Sequence, residues 1–319
     1  MNKVPVVDLL GGKDLSDKAL ASIAGQVGEA LEHVGFFVIA NCGTAPGLAD
    51  QTREICRQFF ELPEEQKLRD RTPATGRPQG YLPLGAVALA STYANGKGPP
   101  DLKESYTVRP DDAGMFRWPQ IPREFRSIVH AYYQAVDAIG RTLLRVFAEA
   151  LKLDREFFIE KYAGHQSALQ IIHYPSQTVP PLPGQLRSGA HTDYGVITIL
   201  AIQEKDAAGG LQVRMKDGSW ADVVAPADSL IINIGDLMMR WTNDFWLSNV
   251  HRVINPSIDT AMGSGRISIA FFFNPKSDII VECIPTCVGG GDKPRYAPVT
   301  VEEYLLSKIR QSAPSPTAE

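Results

Sequence analysis

The sequence predicts a mainly β protein, a jelly-roll or double-sheet sandwich core with flanking α-helices packed outside it. Two observations point there. From Ala168 onward, short β-rich runs alternate with turn residues at regular spacing. Before that point, the segment from Ser16 to about Val34 carries apolar residues at helical spacing instead.

Taken in order, Val4 to Leu9 reads as a short strand bounded by Gly11-Gly12. From Ser16 to about Val34, the residues Leu20, Ile23, Ala24, Val27, Ala30, Leu31 and Val34 share one helical face, with Ser16 as N-cap. Gly35 ends that helix, and Phe36-Phe37-Val38-Ile39 is a buried strand. A second helix runs from about Pro46 to Leu62 and is stopped by Pro63. Residues 70 to 122 are rich in Gly and Pro, and long irregular stretches of this kind often act as functional covers. A long helix follows from about Arg123 to Leu151, and a short one covers Arg155 to Tyr162.

The strands expected next are Ala168 to Tyr174, Val196 to Gln203, Leu211 to Met215, Trp220 to Val224, Ser229 to Ile234, Arg252 to Ile254, Arg266 to Asn274 and Ile279 to Ile284. Turns such as Ala208-Gly209-Gly210 and Lys216-Asp217-Gly218-Ser219 separate them. Thr300-x-x-Glu303 is a capping box before a last short helix, and Ser312 to Glu319 reads as a disordered tail. The expected organisation is a helical region at 1–165 bracing a β core at 166–285, with a C-terminal extension at 286–319.

Bulk properties narrow the class. The 319 residues are 44% hydrophobic and 21% charged, an ordinary globular composition with ample core. The net charge is −4 and the Lys and Arg residues are scattered, so no basic stripe argues for a nucleic-acid partner. Cys42, Cys56, Cys283 and Cys287 form no Cys-x-x-Cys pair, which fits reduced thiols in a cytosolic protein. Cys283 and Cys287 could join a distant histidine around a metal, but zinc sites pair closer thiols in clearer sets. Pro5 and Asp8 interrupt any signal-peptide core, and no run approaches the ~18 apolar residues of a membrane span. A soluble cytoplasmic protein without a membrane partner is expected, monomeric by default.

The chemistry-bearing residues lie in the strand-rich half. His191 and Asp193 stand two apart, so an extended backbone presents both on one side, with Thr192 facing away. His251, at the start of another β-rich run, can supply a third ligand. Two imidazoles and a carboxylate hold a ferrous ion by one face and leave the opposite face open. Arg266 and Ser268 share a side by the same period of two and can grip one carboxylate, which the planar guanidinium fork matches.

Taken singly these signals are weak, since a lone His-x-Asp is usually a surface or capping pair. His33 near a helix end, His130 in the long helix, His165 in a loop and His173 beside Tyr174 are discounted as ligands. Rival chemistries lack their residues. There is no Gly-x-Gly-x-x-Gly after a strand, no phosphate-binding loop, no Gly-x-Ser-x-Gly elbow and no His-Glu-x-x-His.

With these residues in place, the chain resembles the iron(II)- and 2-oxoglutarate-dependent dioxygenases of the isopenicillin N synthase-like group. The resemblance runs from Val4 to about residue 284. It includes Gly35-Phe36-Phe37, Lys103-Glu104-Ser105-Tyr106, His173-Tyr174-Pro175, Asn233-Ile234-Gly235-Asp236, His251-Arg252-Val253 and Arg266-Ile267-Ser268. It implies a distorted double-stranded β-helix with N-terminal helices around it. It also implies that His191, Asp193 and His251 bind Fe(II), while Arg266, Ser268 and Tyr174 hold the C5 carboxylate of 2-oxoglutarate.

Where relatives carry Asn-Tyr-Tyr-Pro, this chain reads Ile172-His173-Tyr174-Pro175, so one family contact to the cosubstrate is missing or supplied elsewhere. The span from His251 to Arg266, with Gly263-Ser264-Gly265 inside it, reads as a loop insertion.

The implied reaction consumes O2 and 2-oxoglutarate and yields succinate, CO2 and an oxidised small molecule, by hydroxylation or by desaturation or ring closure. Ascorbate can serve as reductant. Asp193 argues against halogenation, because related halogenases lack that carboxylate. The segment 70 to 107 is expected to cover the substrate, with Tyr81, Tyr106, Phe271 and Phe273 as candidate lining. Two rivals are a 2-oxoglutarate-independent iron oxidase of the isopenicillin N synthase type and a non-catalytic ligand-binding jelly-roll module.

Overall fold

Two β-sheets face one another, and helices cover the outer face of the larger sheet. This is a computed structural model, and it describes residues 3–12, 15–45, 47–73, 77–93, 98–109, 118–202, 210–257, 265–289 and 293–312.

The first strand is β1 (Val6–Asp8), and helix α1 (Asp17–His33) follows it. Ser16 caps α1 by accepting a hydrogen bond from the Ala19 amide at 3.3 Å. Gly35 separates α1 from β2 (Phe36–Ala40) at φ +75°, and a Cβ there would lie 2.2 Å from the Leu247 carbonyl oxygen. Both the left-handed backbone and the close approach require glycine. Next come α2 (Leu48–Phe60), α3 (Glu64–Lys67), β3 (Gly80–Leu82), α4 (Ala90–Tyr93), β4 (Glu104–Val108) and the long α5 (Phe125–Ala150).

The strand-rich half supplies β5 (Ala168–Tyr174), β6 (Ser188–His191), β7 (Ile197–Ala201), β8 (Leu211–Arg214), β9 (Trp220–Asp222) and β10 (Leu230–Ile234). After α6 (Asp236–Trp241) come β11 (His251–Val253), β12 (Arg266–Phe273), β13 (Ile280–Val281), β14 (Val299–Thr300) and α7 (Val301–Gln311). Thr300 and Glu303 form the full capping box at the start of α7.

The large sheet has eight strands in the order β1-β2-β10-β7-β12-β5-β4-β3, and the small one has four in the order β6-β11-β8-β9. Strands from the first 108 residues therefore form both edges of the large sheet. Alternation along the strands decides what faces where. On β5, Leu169 and Ile171 enter the core shared with the helices, whereas Ile172 and Tyr174 enter the cluster between the sheets. On β12, Ile267, Ile269, Phe271 and Phe273 face the helices, and Ala270 and Phe272 face the small sheet.

Some expectations change. The helix read at Arg155 to Tyr162 reduces to one 3₁₀ turn at Ile159–Tyr162. Asp154 takes the Glu156 amide at 2.9 Å, a local turn that competes with the helical hydrogen bond. The loop insertion around residues 258–264, Ala208 and Gly209 of the expected turn, and the tail from residue 313 lie outside the described residues. Among the described residues, no helix is long and apolar enough to cross a membrane.

One buried polar cluster holds the helical side to the sheet. Glu104 of β4 accepts from Lys67 Nζ at 2.7 Å and from the Tyr81 hydroxyl at 2.5 Å, and its other oxygen lies 2.7 Å from His173 Nδ1. His173 also stacks on Phe60 at 5.1 Å. The Lys103-to-Tyr106 and His173-Tyr174 stretches thus have a structural role beside any functional one.

Candidate metal centre

His191 closes β6 and His251 opens β11, and the two strands pair antiparallel with these residues directly opposite. Their rings lie 4.3 Å apart, and Phe36 of β2 meets His251 edge-on at 5.2 Å. Asp193 sits two residues beyond β6, just outside the strand that the sequence spacing suggested, and still reaches the same point. Its Oδ1 is 3.9 Å from His191 Nε2 and 3.7 Å from His251 Nε2. The ligand atoms of the three residues all lie within 4.8 Å of one another, and all three residues are buried. Among the described residues no other group of His, Cys, Asp or Glu converges in this way, and Cys283 and Cys287 belong to none.

Each ligand is oriented through the atom that faces away from its neighbours. His191 Nδ1 lies 2.7 Å from the Gly189 carbonyl oxygen, and His251 Nδ1 lies 3.2 Å from that of Asn249. A carbonyl only accepts, so each Nδ1 carries the proton and each Nε2 turns a lone pair inward. Asn249 is itself held, since its side-chain amide donates to the carbonyls of Val34 and Arg214, both at 2.8 Å. Asp193 Oδ2 accepts from the Thr198 hydroxyl at 2.6 Å and from Asn233 Nδ2 at 2.7 Å, leaving Oδ1 for the shared point.

The electrostatics suit a cation. Burial, the adjacent His251 and the nearby Lys103 lower the pKa of His191 to about 3, so its imidazole is neutral. Burial alone would raise the pKa of Asp193, but His251, His191 and the hydrogen bonds from Asn233 and Thr198 hold it below the usual carboxylate range. Two imidazoles and one ionised carboxylate are the donor set for a divalent iron with open positions. These residues fit the metal.

Asn233, Thr198 and Gly235 are the supporting residues that spacing alone missed. Asn233-Ile234-Gly235-Asp236 contained the signal, since Asn233 alternates along β10 onto the same interior face. A Cβ on Gly235 would lie 2.5 Å from the Gly195 carbonyl oxygen and 2.7 Å from that of Asp193. Asp236 then donates its amide to the Asp193 carbonyl at 2.8 Å, and its carboxylate accepts from Ser248 and from Tyr304 of α7.

Arg266, Ser268 and Tyr174 lie further along the same interior, all buried. Arg266 pairs directly with Tyr174 across β12 and β5, its guanidinium 4.9 Å from the Tyr174 ring centre. Arg187, also buried, places its guanidinium 5.8 Å from that ring. A second basic group thus joins the place where the sequence put one.

A cavity of about 180 Å³ opens beside this His-Asp-His cluster. Its wall includes His191, Thr192 and Asp193, so Thr192 does not turn away from the site. The described part of the 70-to-107 stretch contributes Arg77, Leu82, Val87 and Lys103. None of Tyr81, Tyr106, Phe271 and Phe273 lines it. Strand alternation turns them to the helix side, where they pack in the main core.

Comparison with known proteins agrees with this geometry. Residues 165–275 match the family model of the 2OG-Fe(II) oxygenase superfamily, and residues 4–123 match that of the non-haem dioxygenase N-terminal region described from morphine synthesis. The chain is 33% identical to the 2-oxoglutarate-Fe(II) type oxidoreductase hxnY of Emericella nidulans, covering 97% of this chain and 90% of that one. It is 32% identical to the validamycin A dioxygenase of Streptomyces hygroscopicus subsp. limoneus, covering 96% and 85%. Among solved structures, a full-length Neurospora crassa protein crystallised in complex with alpha-KG and thymine superposes with a TM-score of 0.84 at 27% identity, covering 96% of both chains.

Proposed function

The chain belongs to the 2-oxoglutarate- and Fe(II)-dependent oxygenase superfamily, and on that premise we propose that His191, Asp193 and His251 hold the iron while Arg266, Ser268 and Tyr174 grip the C5 carboxylate of 2-oxoglutarate. The observation that carries this reading is the convergence of three oriented, buried donor atoms within 4.8 Å. When bound, the iron supplies the oxidising chemistry, coupling decarboxylation of 2-oxoglutarate to succinate and CO2 with oxidation of a C–H bond of a small molecule.

The chain's own residues supply position and a dry pocket. The Gly189 and Asn249 carbonyls fix the imidazole tautomers. Thr198 and Asn233 keep Asp193 ionised and aimed. Arg266 offers a planar fork to a carboxylate, and the neighbouring Tyr174 ring confines it. The cavity beside His191 and Asp193 takes the substrate, and its size suits a small molecule rather than a polymer. The 2-oxoglutarate-Fe(II) oxidoreductase relatives and the alpha-KG-bound neighbour support dependence on 2-oxoglutarate over the 2-oxoglutarate-independent iron oxidase.

The test is succinate release with Fe(II), ascorbate and 2-oxoglutarate, paired with anaerobic Fe(II) titration. Succinate should require both iron and 2-oxoglutarate. His191→Ala and His251→Ala should lose more metal affinity than the roughly 10–100-fold that an outer-shell partner costs. Full turnover in either variant sinks the ligand assignment, and oxidation of substrate without 2-oxoglutarate sinks the cosubstrate assignment.

A further inference from the structure

The cavity beside the metal centre holds more positive charge than its described surroundings neutralise. Asp193 is committed to the ligand set. Lys103 is neutralised by the buried Asp101 at 3.2 Å. Two guanidiniums remain, Arg77 and Arg109, both in the cavity wall. Arg109 spends Nε on the Pro78 carbonyl at 3.0 Å and Nη1 on the Gln166 carbonyl at 2.9 Å, and neither is a counter-charge. Arg77 pairs through Nη2 with Glu302 of α7 at 2.6 Å. Its side chain is only 9% exposed, yet among the described residues its Nε and Nη1 are buried without a hydrogen-bond partner.

A buried guanidinium edge left unpaired is costly. The mutual effect of the pair is visible at Arg109, where burial and then the charge of Arg77 lower the pKa to about 10. Among the described residues Glu302 supplies one negative charge to two positive ones, which leaves one charge over. That points to a monoanion, and a planar carboxylate matches the guanidinium fork. Much of the rest of the wall is apolar, with Leu82, Val87, Leu305 and Ile309, beside the polar Ser105, Thr107, Gln170 and Asn274.

We propose that the oxidisable substrate is a small carboxylate, its anionic end seated at the Arg77 and Arg109 guanidinium pair in the cavity wall and its body directed along the cavity toward His191 and Asp193. This rests on the oxygenase reading above and assigns the substrate class for the same site. Arg77 would be a specificity residue for the substrate, separate from the Arg266 grip on the cosubstrate.

The test uses straight-chain carboxylates of four to eight carbons and their primary amides as probes. Binding to the full chain is measured by calorimetry and ligand-observed NMR under argon with Fe(II) and saturating 2-oxoglutarate, which blocks the Arg266 site. At least one acid should bind about tenfold to a hundredfold more tightly than its amide, the range of a charged hydrogen-bonded pair. Arg77→Gln should erase that preference, and Arg77→Lys should keep part of it.

Arg77→Gln could fail to fold because it breaks the pair with Glu302. Glu302→Gln therefore provides the second arm, since it frees more of Arg77 and should tighten acid binding several-fold. Amides binding as well as acids, or Glu302→Gln weakening the acids, overturns the proposal. Wild-type chain that releases no succinate with Fe(II), 2-oxoglutarate and O2 defeats the oxygenase reading instead, whatever the acids do.

Discussion

Replacing Asn233 with alanine tests how the proposed metal ligands are held. Asn233 is 3% exposed on β10 and donates to Asp193 Oδ2 at 2.7 Å, sharing that oxygen with Thr198 at 2.6 Å. A hydrogen bond to a charged acceptor contributes about 1.5–3 kcal/mol. The loss should fall on metal binding, because only the ionised and oriented carboxylate ligates. An affinity for Fe(II) weakened roughly 10–100-fold is expected, the usual cost of removing an outer-shell partner. Thr198→Val removes the other donor with little change of shape and should cost a similar amount. The double variant should lose more than the sum, since Asp193 Oδ2 would then be buried with no donor. Anaerobic Fe(II) or Co(II) titration gives the affinities, and urea melts show whether the variants fold. Folded Asn233→Ala binding metal within about twofold of wild type, far below the range expected of such a partner, would refute the reasoning.

Further outcomes follow from the same geometry. Glu104→Gln leaves Lys67 buried without its counter-charge and should destabilise by about 3 kcal/mol at neutral pH, read by chemical melts. Burial raises the pKa of Glu104, yet hydrogen bonds from His173, Lys67 and Tyr81 bring it below the ordinary 4.5. Its contribution is therefore present above 4.5 and lost as pH falls through the folded value, so wild type and variant should converge in acid. A gap that widens on acidification would contradict this. Arg266→Gln should raise the KM for 2-oxoglutarate by roughly 10–100-fold, the cost of a lost charged hydrogen bond. An unchanged KM removes Arg266 from the cosubstrate site. Gly235→Ala would press a methyl to 2.5 Å from the Gly195 carbonyl, so stability and Fe(II) affinity should fall together in paired melts and titrations.

Local pattern carried most of the elements and the His191, Asp193 and His251 cluster. Apolar spacing marked α1, and the β5 and β12 boundaries fell within a residue of where composition put them. The triad was legible because two of its members are neighbours in the chain and the third opens a β-rich run. The short strands β3 and β4 were not legible. They lie in a Gly- and Pro-rich stretch and are defined by partners far along the chain, β4 pairing with β5.

The substrate wall fails for a different reason, and one position shows it. Phe271 and Phe272 have nearly the same chemistry, but Phe272 lines the cavity while Phe271 is fully buried against the helices. Only the strand's phase separates them, and Arg266 and Ser268 fix that phase for the whole of β12. Once those two residues are taken as facing the site, every even-numbered residue of the strand must face it too. The aromatic candidates Phe271 and Phe273 are then excluded by the same rule that selected the carboxylate grip. Arg77 lies beyond the reach of that rule. It comes from irregular chain, and only the folded structure, which sets it in the cavity wall, connects it to the site.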